Sequence, residues 1–161
     1  MLKQSIYILL AFIFFFATPS LYACKPCAKD LIFEEAVKQA DLIIVGRKIA
    51  EGPRTDTPEL LYGGPDWITV QITQTIKGNP EKTEILVNSW DAMCNYGIVV
   101  DDKSFVMLLA KKKGPVDESE YDAVNNGCSV KTYLLDEGSV VMDSRKLPLT
   151  DFIEKIKQLN Q

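Results

Sequence analysis

The chain has 161 residues, no histidine, and 22 Asp and Glu residues against 18 Lys and Arg residues, which gives a net charge of −4. The acidic balance argues against nucleic acid and anionic membrane surfaces as partners. Without histidine, neither His-based acid–base catalysis nor a His-ligated metal site is available. No nucleophile–base pair stands out either. We therefore expect a binding protein rather than an enzyme, with no cofactor and no metal ion of its own.

Residues 1–23 have the pattern of a secretory signal peptide. Lys3 is followed by an apolar run over residues 6–17, and TPSLYA then ends in a small residue just before Cys24. This run of 12 residues is shorter than the about 20 residues that a membrane-spanning helix needs. The sequence predicts cleavage of the signal and export of one domain, residues 24–161, to the periplasm or the cell exterior. An uncleaved anchor is the alternative.

Residues 24–113 predict one helix and four strands. Apolar residues recur at helical spacing over 30–40, and the β-branched stretch that follows predicts a strand. A Pro- and Gly-rich loop over 51–66 separates this strand from the next. The run near residue 105 is continuously apolar, so we expect a central strand that is buried on both faces. The predicted strands cover residues 41–50, 67–78, 83–90 and 104–113.

Residues 114–161 predict a surface loop over 114–127, a fifth strand over 128–136, and a tight turn at Glu137–Gly138 into a short edge hairpin. Residues 149–160 form an amphipathic pattern typical of a C-terminal helix. Because no helix lies between consecutive strands, a parallel α/β sheet is disfavoured. We predict a mainly β fold, a five-stranded OB-fold-like antiparallel barrel with an N-terminal and a C-terminal helix.

All four cysteines, Cys24, Cys27, Cys94 and Cys128, lie in the exported part. An even number in an oxidising compartment favours two structural disulfides that staple the N-terminal segment to the barrel. Three other roles remain open for Cys24: a lipid anchor, a C-x-x-C redox pair and a zinc site. Each role fits its sequence pattern only in part. Tyr22 is bulky at a position where lipoprotein motifs have small residues, and no strand can precede CKPC as the fold of redox proteins requires. A zinc site usually has two close pairs of cysteines, whereas Cys94 and Cys128 are far apart.

A fifth role for Cys24 is compatible with the disulfides. Cleavage after Ala23 would leave Cys24 with a free α-amine, whose ordinary pKa is about 8. The amine and the carbonyl oxygen of one residue can together bind a metal ion in another protein's active site.

Several short stretches, taken in order with the cysteines, resemble a netrin-like domain, the family that includes the tissue inhibitors of metalloproteinases. They are QADLIIVGRKI, IKGNPEKTEILV, MCNYG, FVMLLAKK and NNGCS, and the resemblance covers nearly all of residues 24–135. It implies an OB-type barrel in which the first cysteine pairs with the third and the second with the fourth. The pairs would be Cys24–Cys94 and Cys27–Cys128.

The resemblance also implies how such a domain inhibits a protease. Inhibitors of the family bind the protease zinc through the amine and carbonyl of the first cysteine, and the next side chain enters the specificity pocket. In this chain the inhibitory ridge would comprise Cys24, Lys25, Pro26, Met93, Cys94 and Asn95. The chain departs from the inhibitors in its C-x-x-C spacing, in the charge of Lys25, and in having four cysteines and no second domain.

We therefore predict an exported binding module with a protein partner, in its most specific form a zinc metalloprotease that the module inhibits. The alternative is a structural or interaction domain of the bacterial cell envelope, whose cysteines are purely structural. A membrane contact is expected only if Cys24 is lipidated. We expect Trp67 and Trp90, at strand ends, to be core residues rather than a ligand platform. The acidic stretch 117–122 lacks the spacing of a calcium loop.

Overall fold

A computed structural model of the protein describes residues 31–53, 65–89, 103–112, 119–125 and 131–160. Its elements in chain order are α1 (Phe33–Gln39), β1 (Leu42–Glu51), β2 (Trp67–Lys77), β3 (Glu84–Asn88), β4 (Ser104–Lys111), β5 (Tyr121–Ala123), β6 (Thr132–Asp136), β7 (Ser139–Met142), β8 (Arg145–Pro148) and α2 (Leu149–Leu159). The predicted signal peptide and all four cysteines lie outside the described residues.

Five strands close into a barrel. Neighbouring strands follow the order β1-β2-β3-β5-β4, and β4 pairs back with the first half of β1. On its other edge β4 pairs first with β6 and then, towards its end, with β5. The strands β6, β7 and β8 therefore lead away from the ring as a small antiparallel extension. The prediction of a mainly β barrel with one helix before it and one after it is confirmed.

The direction of one strand pair corrects the prediction of an antiparallel barrel. β3 and β5 are parallel, with Val87 opposite Tyr121 and Asn88 opposite Asp122. All other neighbouring pairs in the ring are antiparallel. A closed ring of five strands cannot alternate direction throughout, because five is an odd number. One parallel pair is the minimum that closure requires.

The strand that closes the ring also differs from the prediction. β5 lies within the stretch predicted as a surface loop, 114–127, and it pairs with β3 on one side and β4 on the other. The predicted fifth strand corresponds to β6, which lies outside the ring. β5 has only three residues, too few for an alternating pattern to be visible in the sequence.

The apolar side chains form two cores on opposite sides of β1 and β4. Those that point into the barrel include Leu42 and Ile44 of β1 and Met107 of β4. Those that point outward include Ile43 of β1 and Leu108 of β4, and they pack with α1, α2 and β7. Because successive side chains of a strand point to opposite faces, burial of both faces explains why β1 and β4 begin as continuous apolar runs. The prediction of a doubly buried strand near residue 105 is confirmed.

An aromatic cluster joins the two helices to β6 in the outer core. The rings of Phe33, Tyr133 and Phe152 contact one another edge to face, with centroids 5.2 to 6.2 Å apart. The Lys155 ammonium lies 4.8 Å from the centre of the Phe33 ring and 3.3 Å from the Glu34 carboxylate. These contacts hold the short helix α1 against the C-terminal helix.

Tyr133 should make the protein less stable in alkali. Burial raises the pKa of its hydroxyl, and the Asp143 and Glu34 carboxylates raise it further. The unfolded chain, with a tyrosine pKa of about 10, loses this proton more easily than the folded chain does. The free energy of unfolding is therefore expected to keep the full Tyr133 contribution below about pH 10 and to lose it as the pH rises further.

Urea denaturation at several pH values up to about 11 tests this expectation, since each point yields the free energy of unfolding. Tyr133→Phe keeps the ring and removes the ionisable group, so its stability should fall less steeply in alkali than that of the wild type. Parallel curves for the two proteins would contradict this role of Tyr133.

Candidate functional site

The inhibitory ridge predicted from the sequence lies outside the described residues. This applies to Cys24, Lys25, Pro26, Met93, Cys94 and Asn95, and also to Cys27 and Cys128. The structure instead describes the strand ends from which the cysteine-bearing segments leave the barrel. Their arrangement is the first feature that bears on the site.

The strands that precede Cys94 and Cys128 end side by side. β3 precedes Cys94 and β5 precedes Cys128, and because the two strands are parallel neighbours, they end at the same end of the barrel. The Asn88 side-chain amide donates a hydrogen bond of 2.9 Å to the Asp122 carboxylate across this pair. The chain thus leaves the barrel twice at one place.

The end of β3 is held in position by Ser89, which is 5% exposed. Its backbone N–H donates a hydrogen bond of 3.1 Å to the Asp66 carbonyl, and its hydroxyl donates to the Pro65 carbonyl. Both acceptors lie just before β2. These bonds satisfy a buried polar residue and attach the exit from β3 to the start of the neighbouring strand.

The segment that contains Cys128 starts and ends at one point on β4. The Val124 N–H donates to the Leu108 carbonyl at 2.8 Å, and the Lys131 N–H donates to the Val124 carbonyl at 2.9 Å. The Leu108 N–H completes the set by donating to the Lys131 carbonyl at 3.2 Å. Residues 126–130 therefore connect two points that lie next to each other, which the sequence alone did not reveal.

The chain that enters α1 is anchored in the outer core. Leu31 is 5% exposed and belongs to the outer core, together with Val124 and Leu108. Ile32 follows with an extended backbone and is 43% exposed. Leu31 thus fixes the entry to α1 in the apolar cluster that also receives the end of β5.

Trp67 occupies a different position from the one predicted. It is half-buried and points away from the barrel interior, because its neighbour Ile68 points inward. Its indole lies against Gly52, where a β-carbon would come within 2.5 Å of Cε2. Its prediction as a core residue is wrong, and Trp90 lies outside the described residues.

The acidic stretch 117–122 is described in part, and its members bind protein groups. The Glu120 carboxylate accepts a hydrogen bond of 2.6 Å from Lys82, which raises the pKa of that lysine. Ser119 is buried and accepts a hydrogen bond of 3.1 Å from the Lys112 ammonium. Within the described part of the chain, no three His, Cys, Asp or Glu residues are grouped so that they could hold a metal ion.

Comparison of the chain with known protein families, curated proteins and solved structures finds no match. Among the described residues, no helix is both long enough and apolar enough to cross a membrane.

Proposed function

We propose that this protein is an exported, non-enzymatic binding module built on an OB-type barrel. In its most specific form it inhibits a zinc metalloprotease by presenting Cys24 to the protease zinc. Two features support the OB type: the ring order β1-β2-β3-β5-β4 and the short parallel pair β3–β5. The closed barrel supplies a rigid support of the kind on which binding segments are usually carried.

The observation that carries the proposal is the shared exit point of β3 and β5. Cys94 follows Ser89 by five residues and Cys128 follows Asn125 by three. An extended chain spans at most about 3.6 Å per residue, so these cysteines lie within about 18 Å and about 11 Å of Ser89 and Asn125. Because Cys94 and Cys128 both follow strands that end at one end of the barrel, they could form disulfides with Cys24 and Cys27 and so hold the N-terminus there. We call this pair of disulfides the clamp. Each bridge would stabilise the domain by about 3–4 kcal/mol.

The chemistry proposed for the clamped N-terminus is direct coordination of zinc. A catalytic zinc ion has three protein ligands and one position that holds water or substrate, and it can expand to five ligands. The Cys24 amine and carbonyl oxygen would displace the water and bind the zinc as its fourth and fifth ligands. Lys25 would then reach the specificity pocket of the protease. We therefore expect the target to be a protease whose pocket accepts a positively charged side chain.

A second candidate function is an interaction domain of the bacterial cell envelope, with purely structural cysteines and, in one variant, a lipid on Cys24. The observation that favours it is the position of Trp67, which is only partly buried and lies on the outer side of the barrel. A solvent-accessible tryptophan is often part of a binding surface. Nothing in this role requires a free Cys24 amine.

One added residue separates these two functions. Insertion of alanine before Cys24 acylates the amine, so we expect it to abolish inhibition of a panel of zinc endopeptidases. A matched control carries the extra alanine after Gln161 and should inhibit like the wild type. Equal inhibition by both variants would refute zinc binding through the amine, and a wild type that inhibits none of the proteases would leave the envelope function.

Mass spectrometry of the protein from its own host tests the clamp itself. Intact and non-reduced peptide masses should show a chain that starts at unmodified Cys24 with Cys24–Cys94 and Cys27–Cys128 linked. A lipid-sized mass increase on Cys24, or residues retained ahead of it, would exclude the zinc-binding mechanism. The other disulfide pairings would remove the basis for the predicted ridge.

A further inference from the structure

β8 is the last strand of the sheet, and among the described residues one of its two edges has no partner strand. It pairs with β7 alone, from Ser139 opposite Pro148 to Met142 opposite Arg145. An unpaired strand edge is where an extended peptide can add to a sheet. Because β8 lies outside the barrel ring, this edge belongs to the small extension formed by β6, β7 and β8.

The turn between β7 and β8 determines which backbone groups point to that edge. Asp143 and Ser144 have φ values of 49° and 62°, as in a two-residue hairpin turn of type I′. In such a hairpin the two residues that flank the turn exchange backbone hydrogen bonds, and so does every second pair after them. The Leu149 N–H continues this series, since it donates to the Gly138 carbonyl at 3.0 Å. The N–H and the carbonyl of Lys146 therefore point to the unpaired edge.

A groove of about 530 Å³ lies between this hairpin and α2. Arg145 and Leu147 point to its side of β8, because Val140, which lies opposite Leu147, is buried in the outer core. Lys146 points to the other side but also lines the groove, so the groove reaches the unpaired edge. The described lining residues are Met142, Asp143, Arg145, Lys146, Leu147 and Lys155.

Arg145 carries the charge that is open to a ligand. Its side chain is exposed and forms no hydrogen bond or ion pair with any described residue. The two lysines of the groove are already paired, since Lys146 lies 2.7 Å from the Asp136 carboxylate and Lys155 lies 3.3 Å from that of Glu34. Next to Arg145, the half-buried side chains of Met142 and Leu147 form an apolar floor that packs on the outer core. The groove therefore suits one anionic group beside one apolar group.

This arrangement excludes several other occupants. A second copy that paired through the same edge would place two Lys146 side chains opposite each other, and like charges in that position destabilise a sheet. A polyanion such as nucleic acid would meet the carboxylates of Asp143, Asp136 and Glu34 around the site. A lipid chain would need a mostly apolar pocket, whereas four of the six described lining residues are charged.

We propose that the edge of β8 binds an extended peptide segment of a protein partner, which adds to the sheet as a further strand. The peptide backbone pairs with the N–H and the carbonyl of Lys146. An acidic side chain of the peptide binds Arg145, and an apolar side chain two positions away lies over Leu147 and Met142. Residues two apart share one face of a strand, so the segment has the pattern acidic-x-apolar or its reverse. Pro148 has no N–H and ends the pairing.

The position of this site relates it to the proposed clamp without making it depend on the clamp. β6 and β7 are antiparallel, so the turn that follows β7 lies at the end of the sheet where β6 starts. β6 follows the segment that contains Cys128. One partner can therefore contact both places, but the β8 site does not involve Cys24 and stands whether or not the protein inhibits a protease.

NMR titration of the 15N-labelled protein with the peptide acetyl-Thr-Leu-Thr-Glu-Thr-Leu-Thr-amide tests the proposal. The peptide has an apolar residue on each side of its glutamate and so fits either strand direction. Saturable shifts are expected for backbone amides at 142–147 and 155. Exchange of the Lys146 amide proton with solvent should slow, because this N–H gains an acceptor. The same peptide with glutamine in place of glutamate should bind about fivefold more weakly, since an exposed ion pair contributes up to about 1 kcal/mol.

Two pairs of variants separate the backbone contact from the charge contact. Lys146→Pro removes the outward N–H at an edge position where proline is tolerated, so it should abolish binding. Lys146→Gln keeps the N–H and should bind like the wild type. Arg145→Gln should weaken binding of the glutamate peptide about fivefold. Its matched control, Lys157→Gln on the exposed side of α2, should bind like the wild type.

Three results would overturn the proposal: no shifts with the glutamate peptide at millimolar concentration, shifts confined to other surfaces, or equal binding by Lys146→Pro and Lys146→Gln. If Lys146→Pro does not fold, the exchange rate of the wild-type Lys146 amide decides the same point, and an unchanged rate at saturating peptide would refute strand addition. Equal affinity of the glutamate and glutamine peptides would refute the role of Arg145.

Discussion

Replacing Phe152 with alanine should lower the free energy of unfolding by about 3–5 kcal/mol, the range for truncating a buried phenylalanine. Phe152 has no exposed surface. Its ring lies 5.2 Å from that of Phe33 and 5.7 Å from that of Tyr133. The substitution would leave a cavity where α1, α2 and β6 meet, and α1 is too short at seven residues to be stable without this contact.

Urea denaturation of the wild type and three variants measures this effect. Phe152→Leu retains most of the volume and should cost much less, since hydrophobic exchanges of similar size usually cost less than about 1.5 kcal/mol. Ile153→Ala removes a half-buried side chain from the same helix and controls for changes in helix propensity. A cost for Phe152→Ala no larger than that for Ile153→Ala would mean that the aromatic cluster does not hold the helices.

Gly78→Ala should be the second strongly destabilising change. Gly78 has a φ of +85°, and a β-carbon there would lie 2.5 Å from the Asp41 carbonyl oxygen. The left-handed backbone alone costs about 1–2 kcal/mol for a residue with a side chain, and the overlap with backbone atoms adds about 1–3 kcal/mol. We expect a total loss of about 2–5 kcal/mol.

Gly138→Ala is the matched control, because it shares the backbone conformation without the overlap. Its φ is +76°, and nothing lies within 4 Å of the added carbon. The free energy of unfolding of this variant should fall only by the cost of the left-handed backbone, about 1–2 kcal/mol. Thermal or urea unfolding of both variants therefore isolates the close approach of Gly78 to Asp41, and equal losses would show that the contact relaxes at little cost.

The elements with a continuous or clearly periodic apolar pattern could be predicted from the sequence. The β-branched residues of β1 and the continuous apolar run of β4 predict strands, and the helical spacing of the apolar residues of α2 predicts a helix. The Glu137–Gly138 turn was also expected. In the structure both residues have positive φ, at 48° and 76°, as a two-residue hairpin turn of type I′ requires.

The closing strand could not be predicted, because nothing local distinguishes it. Tyr121 and Ala123 point into the barrel only because β3 and β4 leave a gap between them at that place. The parallel direction of β5 likewise follows from closure of an odd ring and not from its own residues. The prediction that Trp67 is a core residue is wrong for a related reason. Which side of β2 faces the barrel interior is set by the pairing of β2 with its neighbouring strands, and Trp67 lies on the other side.

The hypotheses about the cysteines came from the sequence alone. A thiol, a free amine and the lack of histidine are properties of the residues themselves and need no knowledge of their neighbours in space. The tertiary structure decided which strand ends lie together and which side chains share a face. The exits of β3 and β5 meet, and Trp67, Asn88 and Asp122 form a row across β2, β3 and β5, although 55 positions separate the first of these residues from the last. Such neighbours depend on strand order and register, which are set by the packing of both cores at once.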